Sequence, residues 1–272
     1  MQVVDSIRGF RKALDEERRA GRSVALVPTM GALHAGHTSL IDAATRRCDV
    51  VAATVFVNPL QFAAGEDLSR YPRPFDADVA LAERHGASYV FAPSVEEMYP
   101  GGVRTTVHVE ELADVLEAAA RPGHFDGVAT VVAKLFNAAG PVTAFFGEKD
   151  WQQLQVVRRM TGDLSFPVEI ISCPTVRAED GLALSSRNAY LDDAERAAAP
   201  VIYRALCTAA ALVSDGTSEV ARLRDAMRAT IAAEPLVHLE YAEALHAHDE
   251  IRLLVAARVG TTRLIDNLGV RI

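Results

Sequence analysis

Short apolar runs alternate with amphipathic stretches along the first 175 residues of the chain. The runs at 24–28, 50–57 and 142–146 are short and apolar, as strands buried on both faces are. The stretches at 5–20 and 37–47 have the apolar spacing of helices. Further helices are predicted at 76–86 and 127–139, further strands at 87–94 and 167–177, and a strand entering a helix at 103–112. This alternation predicts an α/β fold with a parallel sheet and right-handed crossovers.

The pattern changes after about residue 175. Two amphipathic helices are predicted at 192–213 and 218–234, the second started by Thr217 or Ser218, and strands at 237–247 and 261–272. We therefore predict two domains, 1–175 and 176–272, the second a smaller α+β domain that closes over a site on the first.

Composition narrows the class of protein. The formal net charge of −8 argues against a nucleic-acid partner, which needs many basic side chains on one face. The three cysteines are far apart and lack metal-ligand or redox spacing, so we expect them to be reduced core residues. Without an uninterrupted apolar run of roughly 20 residues, and with a helix-like amino terminus, we expect no membrane partner and a cytoplasmic location.

The stretch 24–41, VALVPTMGALHAGHTSLI, combines a strand, a glycine turn and a helix start. The first N–H groups of a helix lack intrahelical acceptors and favour an anion, and His34 and His37 add donors. This predicts a phosphate site. Surface or core histidines are the plain alternative, and a zinc site is disfavoured because the helical HExxH pattern and a third ligand are missing.

Polar loops follow three of the predicted strands, beginning at Pro28, Asn58 and Gly147. Because ligands bind outside the carboxyl ends of parallel strands, we expect these loops to converge. The loop at 58–75 is longer than most connections, which is typical of functional or mobile segments.

Each polar residue in these loops also has a structural interpretation. Lys149 is a solvated lysine unless its strand-end position brings it to a ligand, and Asp150 is either a helix cap or a ligand contact. Gln61 and Gln153 are surface amides or neutral groups that orient hydroxyl and carboxylate oxygens. The Ser185–Arg187 segment forms a turn or, with two hydroxyls beside a guanidinium, a phosphate contact.

Motifs along nearly the whole chain carry a resemblance to a known family. These are PTMGALHAGH at 28–37, VFVNPLQF at 55–62, EEMYP at 96–100, RPGHFDGV at 121–128, FFGEKDWQQL at 145–154 and PTVRAEDGLALSSRNAYL at 174–191. The first is similar to the HIGH signature of the nucleotidyltransferase superfamily. Together the motifs resemble the pantothenate synthetase (pantoate–β-alanine ligase) family.

The resemblance implies a Rossmann-like sheet with flanking helices and an ATP-dependent ligase that forms pantothenate, AMP and pyrophosphate. Its catalytic residues would be His37, His34 and Lys149. Its ATP-binding residues would be Met30, Gly31, Ala32, Leu33, His34, Ala35, Gly36, His37, Gly147, Glu148, Lys149, Asp150, Val176, Leu184, Ser185, Ser186 and Arg187. Pantoate would contact Gln61 and Gln153, with Asn58, Arg121 and His124 as weaker candidates. Leu184 departs from the methionine common in relatives, an exchange that an apolar adenine contact should survive.

The chemistry that the resemblance implies suits these residues. Pantoate's carboxylate would attack the α-phosphorus of ATP, and the β-alanine amine would then attack the acyl-adenylate. Mg²⁺ would be held by phosphates and water without a protein ligand, and the protein would be a homodimer. Two rival interpretations stay open, a related nucleotidyltransferase and a regulatory module that binds ATP without turnover.

Overall fold

Two compact units make up the chain in this computed structural model, which describes residues 1–63, 65–113 and 115–272. The first unit contains Met1–Gly147 and Trp151–Pro174, and the second contains Glu148–Asp150 and Thr175–Ile272. Whether the second closes over a site on the first, as predicted for 1–175 and 176–272, stays a prediction.

The first unit contains a parallel sheet flanked by helices. Its strands are β1 (Gln2–Val4), β2 (Val24–Val27), β3 (Val50–Thr54), β4 (Tyr89–Phe91), β5 (Val142–Gly147) and β6 (Val168–Cys173). Within the described residues these six strands pair in the order β1-β4-β3-β2-β5-β6. All of the pairs are parallel, which confirms the predicted fold class.

Helices cover both faces of this sheet. They are α1 (Ile7–Arg19), α2 (Ala35–Thr45), α3 (Phe75–Arg84), α4 (Val95–Met98), α5 (Glu117–Ala120), α6 (His124–Ala139) and α7 (Trp151–Asp163). Helices α1, α6 and α7 share one apolar cluster with Val24 and Leu26. Helix α2 shares another with Ala25 and Val27, so alternate residues of β2 face opposite clusters. A strand buried on both faces explains why VALV has no polar position.

The second unit is a three-stranded antiparallel sheet among the described residues, with helices packed against it. The helices are α8 (Asp193–Ala198), α9 (Val201–Ser214) and α10 (Val220–Ala232), and the strands are β7 (Val237–Ala247), β8 (Glu250–Val259) and β9 (Thr262–Arg271). The helical run Asp193–Ser214 is long and apolar enough to cross a membrane by length and composition, but half of its most apolar window is buried in the protein. Leu206, Val213 and Met227 share an apolar cluster with Leu253 of β8.

Several sequence predictions were wrong. Residues 103–109 form no strand. Their backbone donates from the Val107 N–H to the Thr130 hydroxyl at 2.9 Å, and the Val109 carbonyl accepts the Ala113 N–H at 3.0 Å; neither bond belongs to a strand pair. Strands β1 and β8 were not predicted. Strand β8, EIRLLVAARV, is buried without interruption from Ile251 to Ala257, and the apolar run at 253–257 hides its period.

Two smaller predictions also need correction. Helix α10 is preceded by Glu219 as its N-cap residue, not by Thr217 or Ser218. The cysteines are not all core residues, because Cys173 is buried, Cys48 is intermediate and Cys207 is exposed.

Candidate active site

The carboxyl ends of β2 and β3 lie side by side and are joined by hydrogen bonds between the Thr54 side chain and the Thr29 backbone. The Thr29 N–H donates to the Thr54 hydroxyl at 3.0 Å, and the Thr54 hydroxyl donates to the Thr29 carbonyl at 3.1 Å. Strand β5 pairs with the other side of β2, so the three predicted strand-end loops begin at one edge of the sheet. From β2 the chain continues to β3 on one side of the sheet, and from β5 it continues to β6 on the other side. In parallel sheets a ligand crevice opens between two such strands, at their carboxyl ends.

The two histidines of the β2 loop (residues 28–34 and the start of α2) cap the helix reciprocally. The Gly36 N–H donates to Nδ1 of His34 at 3.1 Å, and the His34 N–H approaches Nδ1 of His37 at 3.4 Å. Their ring centroids are 4.1 Å apart. An imidazole nitrogen that accepts a hydrogen bond carries no proton, so each neutral ring holds its proton on Nε2 as a donor. Nδ1 of both rings is therefore used within the helix cap, and the Gly36 N–H, one of the helix-start donors expected to favour an anion, is satisfied by His34.

A buried carboxylate holds the β2 loop from beneath. Asp78 of α3, 2% exposed, accepts the N–H groups of Ala32 at 2.9 Å and Leu33 at 2.7 Å. Gly31 has φ +81°, and a Cβ on it would lie 2.8 Å from the Asp78 carboxylate. Only glycine permits both this backbone conformation and this approach. Burial raises the pKa of Asp78, against the opposing effect of the Leu33 and Ala32 N–H groups.

Asn58 and Gln61 form a buried amide network after β3. Asn58, 1% exposed, donates to the Gln61 side-chain oxygen at 3.1 Å and to the Gly127 carbonyl at 3.0 Å. Its own oxygen accepts the Leu60 N–H at 3.3 Å and the Tyr99 hydroxyl at 2.8 Å. Both donors and both lone pairs of the Asn58 amide are therefore occupied by protein groups.

Arg121 and His124 hold the main chain of Gln61. Its carbonyl accepts from Arg121 Nη2 at 3.0 Å and faces His124 Nδ1 at 2.8 Å. Burial, together with the charge of Arg121, lowers the pKa of His124 to about 4, so the ring is neutral. Its Nδ1–H donates to the carbonyl and its Nε2 accepts from Arg121 Nη1 at 3.1 Å. Arg121 also makes a two-pronged ion pair with Glu66, at 2.7 and 2.6 Å.

Gln153 and its neighbour Gln152 differ in their surroundings on α7. Gln152 is buried, donates to the carbonyls of Leu112 and Val115, and accepts the Glu117 N–H at 3.1 Å. Gln153 is half-buried, and no described residue hydrogen-bonds its side chain. The pair therefore separates into a structural amide and an amide that a ligand can use.

Of the predicted residues around Lys149, Glu148, Lys149 and Asp150 belong to the second unit, whereas Gly147 is the last residue of β5 in the first. Residues Glu148–Asp150 form a turn whose first two carbonyls, those of Glu148 and Lys149, accept from the Asn267 side chain at 2.9 and 2.8 Å. Asn267 lies beside Asp266, which is ion-paired with Arg177 at 2.5 Å. The Lys149 ammonium lies 3.3 Å from the Asp150 carboxylate. The backbone of Lys149 is thus held by Asn267 of β9.

The remaining predicted nucleotide residues lie nearby in the same unit. The Leu184 N–H donates to the Val176 carbonyl at 3.0 Å, which places these two apolar residues side by side. Ser185 precedes the short turn Ser186–Tyr190 and accepts the Arg187 N–H at 3.3 Å. The predicted residues therefore form one set in each unit, and their meeting over one ligand stays a prediction.

Sequence reasoning missed the residues that support the site from outside its motifs. Tyr99 lies in the EEMYP motif, but its hydroxyl contact with Asn58 joins residues 41 positions apart. Asp78 and Glu66 lie in polar stretches where nothing distinguishes them from solvated carboxylates. Their burial and partners depend on tertiary structure, so no local signal marks them.

The chain matches the family model described as pantoate-beta-alanine ligase over residues 2–269. Curated relatives include a pantothenate synthetase from Pseudomonas fluorescens (strain SBW25), 49% identical with 98% of each chain covered. Another from Rhizobium meliloti (strain 1021) is 50% identical, covering 98% of this chain and 95% of the relative.

Solved structures share this fold. A crystal structure of pantothenate synthetase from Thermus thermophilus superposes with a TM-score of 0.94 at 48% identity, with both chains fully covered. The pantoate-beta-alanine ligase of Francisella tularensis, complexed with beta-gamma ATP and beta-alanine, has a TM-score of 0.84 at 34% identity, covering 99% and 97% of the two chains.

Proposed function

Because the chain belongs to the pantoate–β-alanine ligase family and is a ligase, we propose that it condenses (R)-pantoate with β-alanine through a pantoyl-adenylate. The reaction consumes ATP and releases AMP and pyrophosphate. The observation that carries the proposal is the pair of imidazoles at the carboxyl edge of the sheet, where Nδ1 of each ring accepts a backbone N–H, so that Nε2 is the protonated nitrogen of the neutral ring. Such fixed donors suit the charge that phosphoryl transfer develops.

In the first step an oxygen of pantoate's carboxylate attacks the α-phosphorus of ATP. The bond to the bridging oxygen breaks, and pyrophosphate leaves with that bond's electron pair. His37 and His34 stabilise the phosphoryl oxygens through Nε2–H, and Lys149 contributes a positive charge. No proton has to be removed from the attacking carboxylate, so this step needs no general base.

The proposed nucleotide site has a part in each unit. The second unit closes over the first, and the residues that border ATP are Met30, Gly31, Ala32, Leu33, His34, Ala35, Gly36, His37, Gly147, Glu148, Lys149, Asp150, Val176, Leu184, Ser185, Ser186 and Arg187. The paired backbone of Val176 and Leu184 supports an apolar contact for adenine. Ser186 and Arg187 supply hydroxyl and guanidinium donors for phosphate.

Gln61 and Gln153 are the proposed pantoate contacts. A neutral amide holds a carboxylate by hydrogen bonding without the full ion pair that would reduce its nucleophilicity. Among the weaker candidates, Asn58, Arg121 and His124 all bond to Gln61. These bonds support a role in holding Gln61 in place.

In the second step the neutral amine of β-alanine attacks the acyl carbon of the adenylate. The carbon–oxygen bond to AMP breaks, AMP leaves with the electron pair, and the nitrogen loses a proton as the amide forms. The adenylate is already activated, so the protein need only bind and orient the amine. No nucleophilic side chain is required.

Magnesium, location and assembly complete the proposal. Among the described residues no three histidine, cysteine or acidic side chains cluster into a metal site. We propose that Mg²⁺ comes with the ATP phosphates and is held by them and by water, as the octahedral geometry that Mg²⁺ prefers allows. We place the enzyme in the cytoplasm as a homodimer, on family likeness.

The deciding experiment resolves AMP, pyrophosphate and pantothenate in an assay from which each substrate is omitted in turn. AMP formation that requires ATP and pantoate, and pantothenate formation that also requires β-alanine, is the expected result. A nucleotidyltransferase would instead transfer a nucleotidyl group to a phosphate acceptor and form no AMP. A regulatory module would bind ATP and form no AMP with both co-substrates saturating.

A further inference from the structure

The side chain of Gln61 is held at one end only. Its oxygen accepts from the Asn58 amide at 3.1 Å. Its nitrogen has one partner in the described part of the chain, the Met30 sulfur at 3.0 Å, and a thioether is a weak acceptor. Gln61 is 8% exposed, and its carbonyl is fixed by Arg121 and His124. The side-chain N–H₂ group of Gln61 is therefore the part that can still donate a strong hydrogen bond to a ligand.

The orientation of Gln61 follows from that of Asn58. The Gly127 carbonyl can only accept and the Leu60 N–H can only donate, so the Asn58 nitrogen must face Gly127 and its oxygen must face Leu60. With the nitrogen of Asn58 also directed at Gln61, the Gln61 amide must turn its oxygen inward. The Asn58 amide therefore donates to the Gln61 amide and cannot accept from it.

Tyr99 makes the shortest of the four hydrogen bonds to the Asn58 amide. Its hydroxyl donates to the Asn58 oxygen at 2.8 Å, whereas the Leu60 N–H is 3.3 Å away. Burial raises the pKa of Tyr99 far above its ordinary range, so the phenol keeps its proton and remains a donor. The ring is 7% exposed and packs against Phe56, with centroids 6.2 Å apart. Tyr99 is thus buried and packed as well as hydrogen-bonded.

We propose that Tyr99 is a positioning residue that, through Asn58, fixes Gln61 with its oxygen inward and its N–H₂ group directed at an oxygen of pantoate. This inference rests on the proposed function. Tyr99 does not touch the substrate. Its hydroxyl holds the oxygen of Asn58, and Asn58 transmits that orientation to Gln61.

The test compares Tyr99→Phe and Asn58→Asp with the wild-type enzyme in steady-state assays of AMP formation. Tyr99→Phe removes one hydroxyl, and we expect kcat/KM for pantoate to fall about 5- to 10-fold, as loss of one buried hydrogen bond implies. Asn58→Asp replaces the donor group by an acceptor and should reverse Gln61, lowering that ratio by about 100-fold. The KM for ATP should change less than about twofold in both variants.

Matched controls separate positioning from general damage. Tyr89→Phe removes another phenol, whose hydroxyl donates to Glu17 at 2.6 Å away from the amide network. Asn137→Asp adds the same charge at an exposed position of α6. Both controls should leave kcat/KM for pantoate unchanged.

A double-mutant cycle distinguishes positioning of Gln61 from a purely structural role of Tyr99. In a Gln61→Ala background, Tyr99→Phe should have no further effect on kcat/KM for pantoate, because the group it positions is gone. Additive losses, or equal losses toward ATP and pantoate, would overturn the inference. Absence of pantoate-dependent AMP formation by the wild-type enzyme would instead reject the proposed function.

Discussion

The β2 and β3 loops follow adjacent strands, and in each loop hydrogen bonds from the protein fix which atoms of a polar side chain are acceptors and which are donors. The two loops differ in where those hydrogen bonds come from. In the β2 loop, imidazole nitrogens accept helix N–H groups within three residues of one another. In the β3 loop (residues 55–61), the side chain of Gln61 is oriented by Asn58, whose partners Tyr99 and Gly127 lie 41 and 69 positions away. In both loops the protein occupies a side-chain acceptor, and the N–H groups of the same side chains are the donors proposed to meet anionic ligands.

The difference between the loops concerns their supports. A helix cap is formed by residues close together in the chain, so its donors are placed at the start of the helix. The orientation of two hydrogen-bonded amides depends instead on the residues that pack around them. Beneath the first loop is a buried carboxylate, Asp78, and beside the second is the Glu66–Arg121 ion pair. Changes in the two supports should therefore affect different substrates.

The largest expected effect comes from removing a donor of the β2 loop. His37→Ala should lower the rate of adenylate formation by about 10²- to 10³-fold, as loss of one preorganised donor does. The free energy of unfolding should fall by no more than about 1 kcal/mol, because the cap bond lost is a long one. Pyrophosphate release and thermal unfolding measure the two effects. His246→Ala, at an exposed position of β7, is the control, and near-normal pyrophosphate release by His37→Ala would reject its assigned role.

Gly127→Ala tests how closely α6 must approach the β3 loop. A Cβ there would lie 2.4 Å from the Leu60 carbonyl oxygen and 2.6 Å from the Gln61 nitrogen, both backbone atoms. We expect a loss of about 1–3 kcal/mol in unfolding free energy and a larger rise in KM for pantoate than for ATP.

The control for that substitution is Gly162→Ala on α7, where a Cβ would meet nothing within 4 Å. Alanine is the better helix former, so this variant should be neutral or up to about 1 kcal/mol more stable. Denaturant unfolding measures both variants, and equal effects would show that the approach of α6 is not tight.

Asp78→Asn tests the support of the β2 loop. The amide can accept with one oxygen only and places its N–H₂ against a backbone donor, so we expect a loss of about 1–2 kcal/mol. The KM for ATP should rise several-fold while that for pantoate stays near its wild-type value. Asp76→Asn, an exposed position in the same helical turn, should change neither constant. A rise in both constants after Asp78→Asn would break the proposed separation of the two loops.

The smallest effect concerns pH. Burial opposes ionisation of Glu66, but the hydrogen bonds and charge of Arg121 outweigh it and lower its pKa below 4.5. As pH falls, the unfolded chain takes up this proton first, so the stabilisation is present above pH 4.5 and is lost as pH falls through the folded pKa. Unfolding free energies of wild type and Glu66→Gln should therefore converge below pH 4.5, and the change in their difference should stay under about 1 kcal/mol. A difference that does not change with pH would contradict this.

Periodicity was enough to predict most of the first unit. The buried runs at β2, β3 and β5 are apolar without interruption, and the helices between them carry one apolar face, so the α/β class follows. The same reasoning failed at 103–109 and at β8. A strand requires a partner, and the alternation of VRTTVHV cannot supply one. Strand β8 has a partner on each side, but its central run LLVAA at 253–257 has no polar residue to reveal the period of two.

The local chemistry of the site was likewise determined by the sequence alone. The His34 and His37 cap needs no residue outside 34–37, and the strand-turn-helix pattern places it at the carboxyl edge of the sheet. Only the tertiary structure decided the orientation of Gln61, the burial of Asp78 and the attachment of the Lys149 turn to Asn267. The physical reason is that a helix cap is closed by neighbours along the chain, whereas the direction of a buried amide depends on donors and acceptors that folding brings from elsewhere.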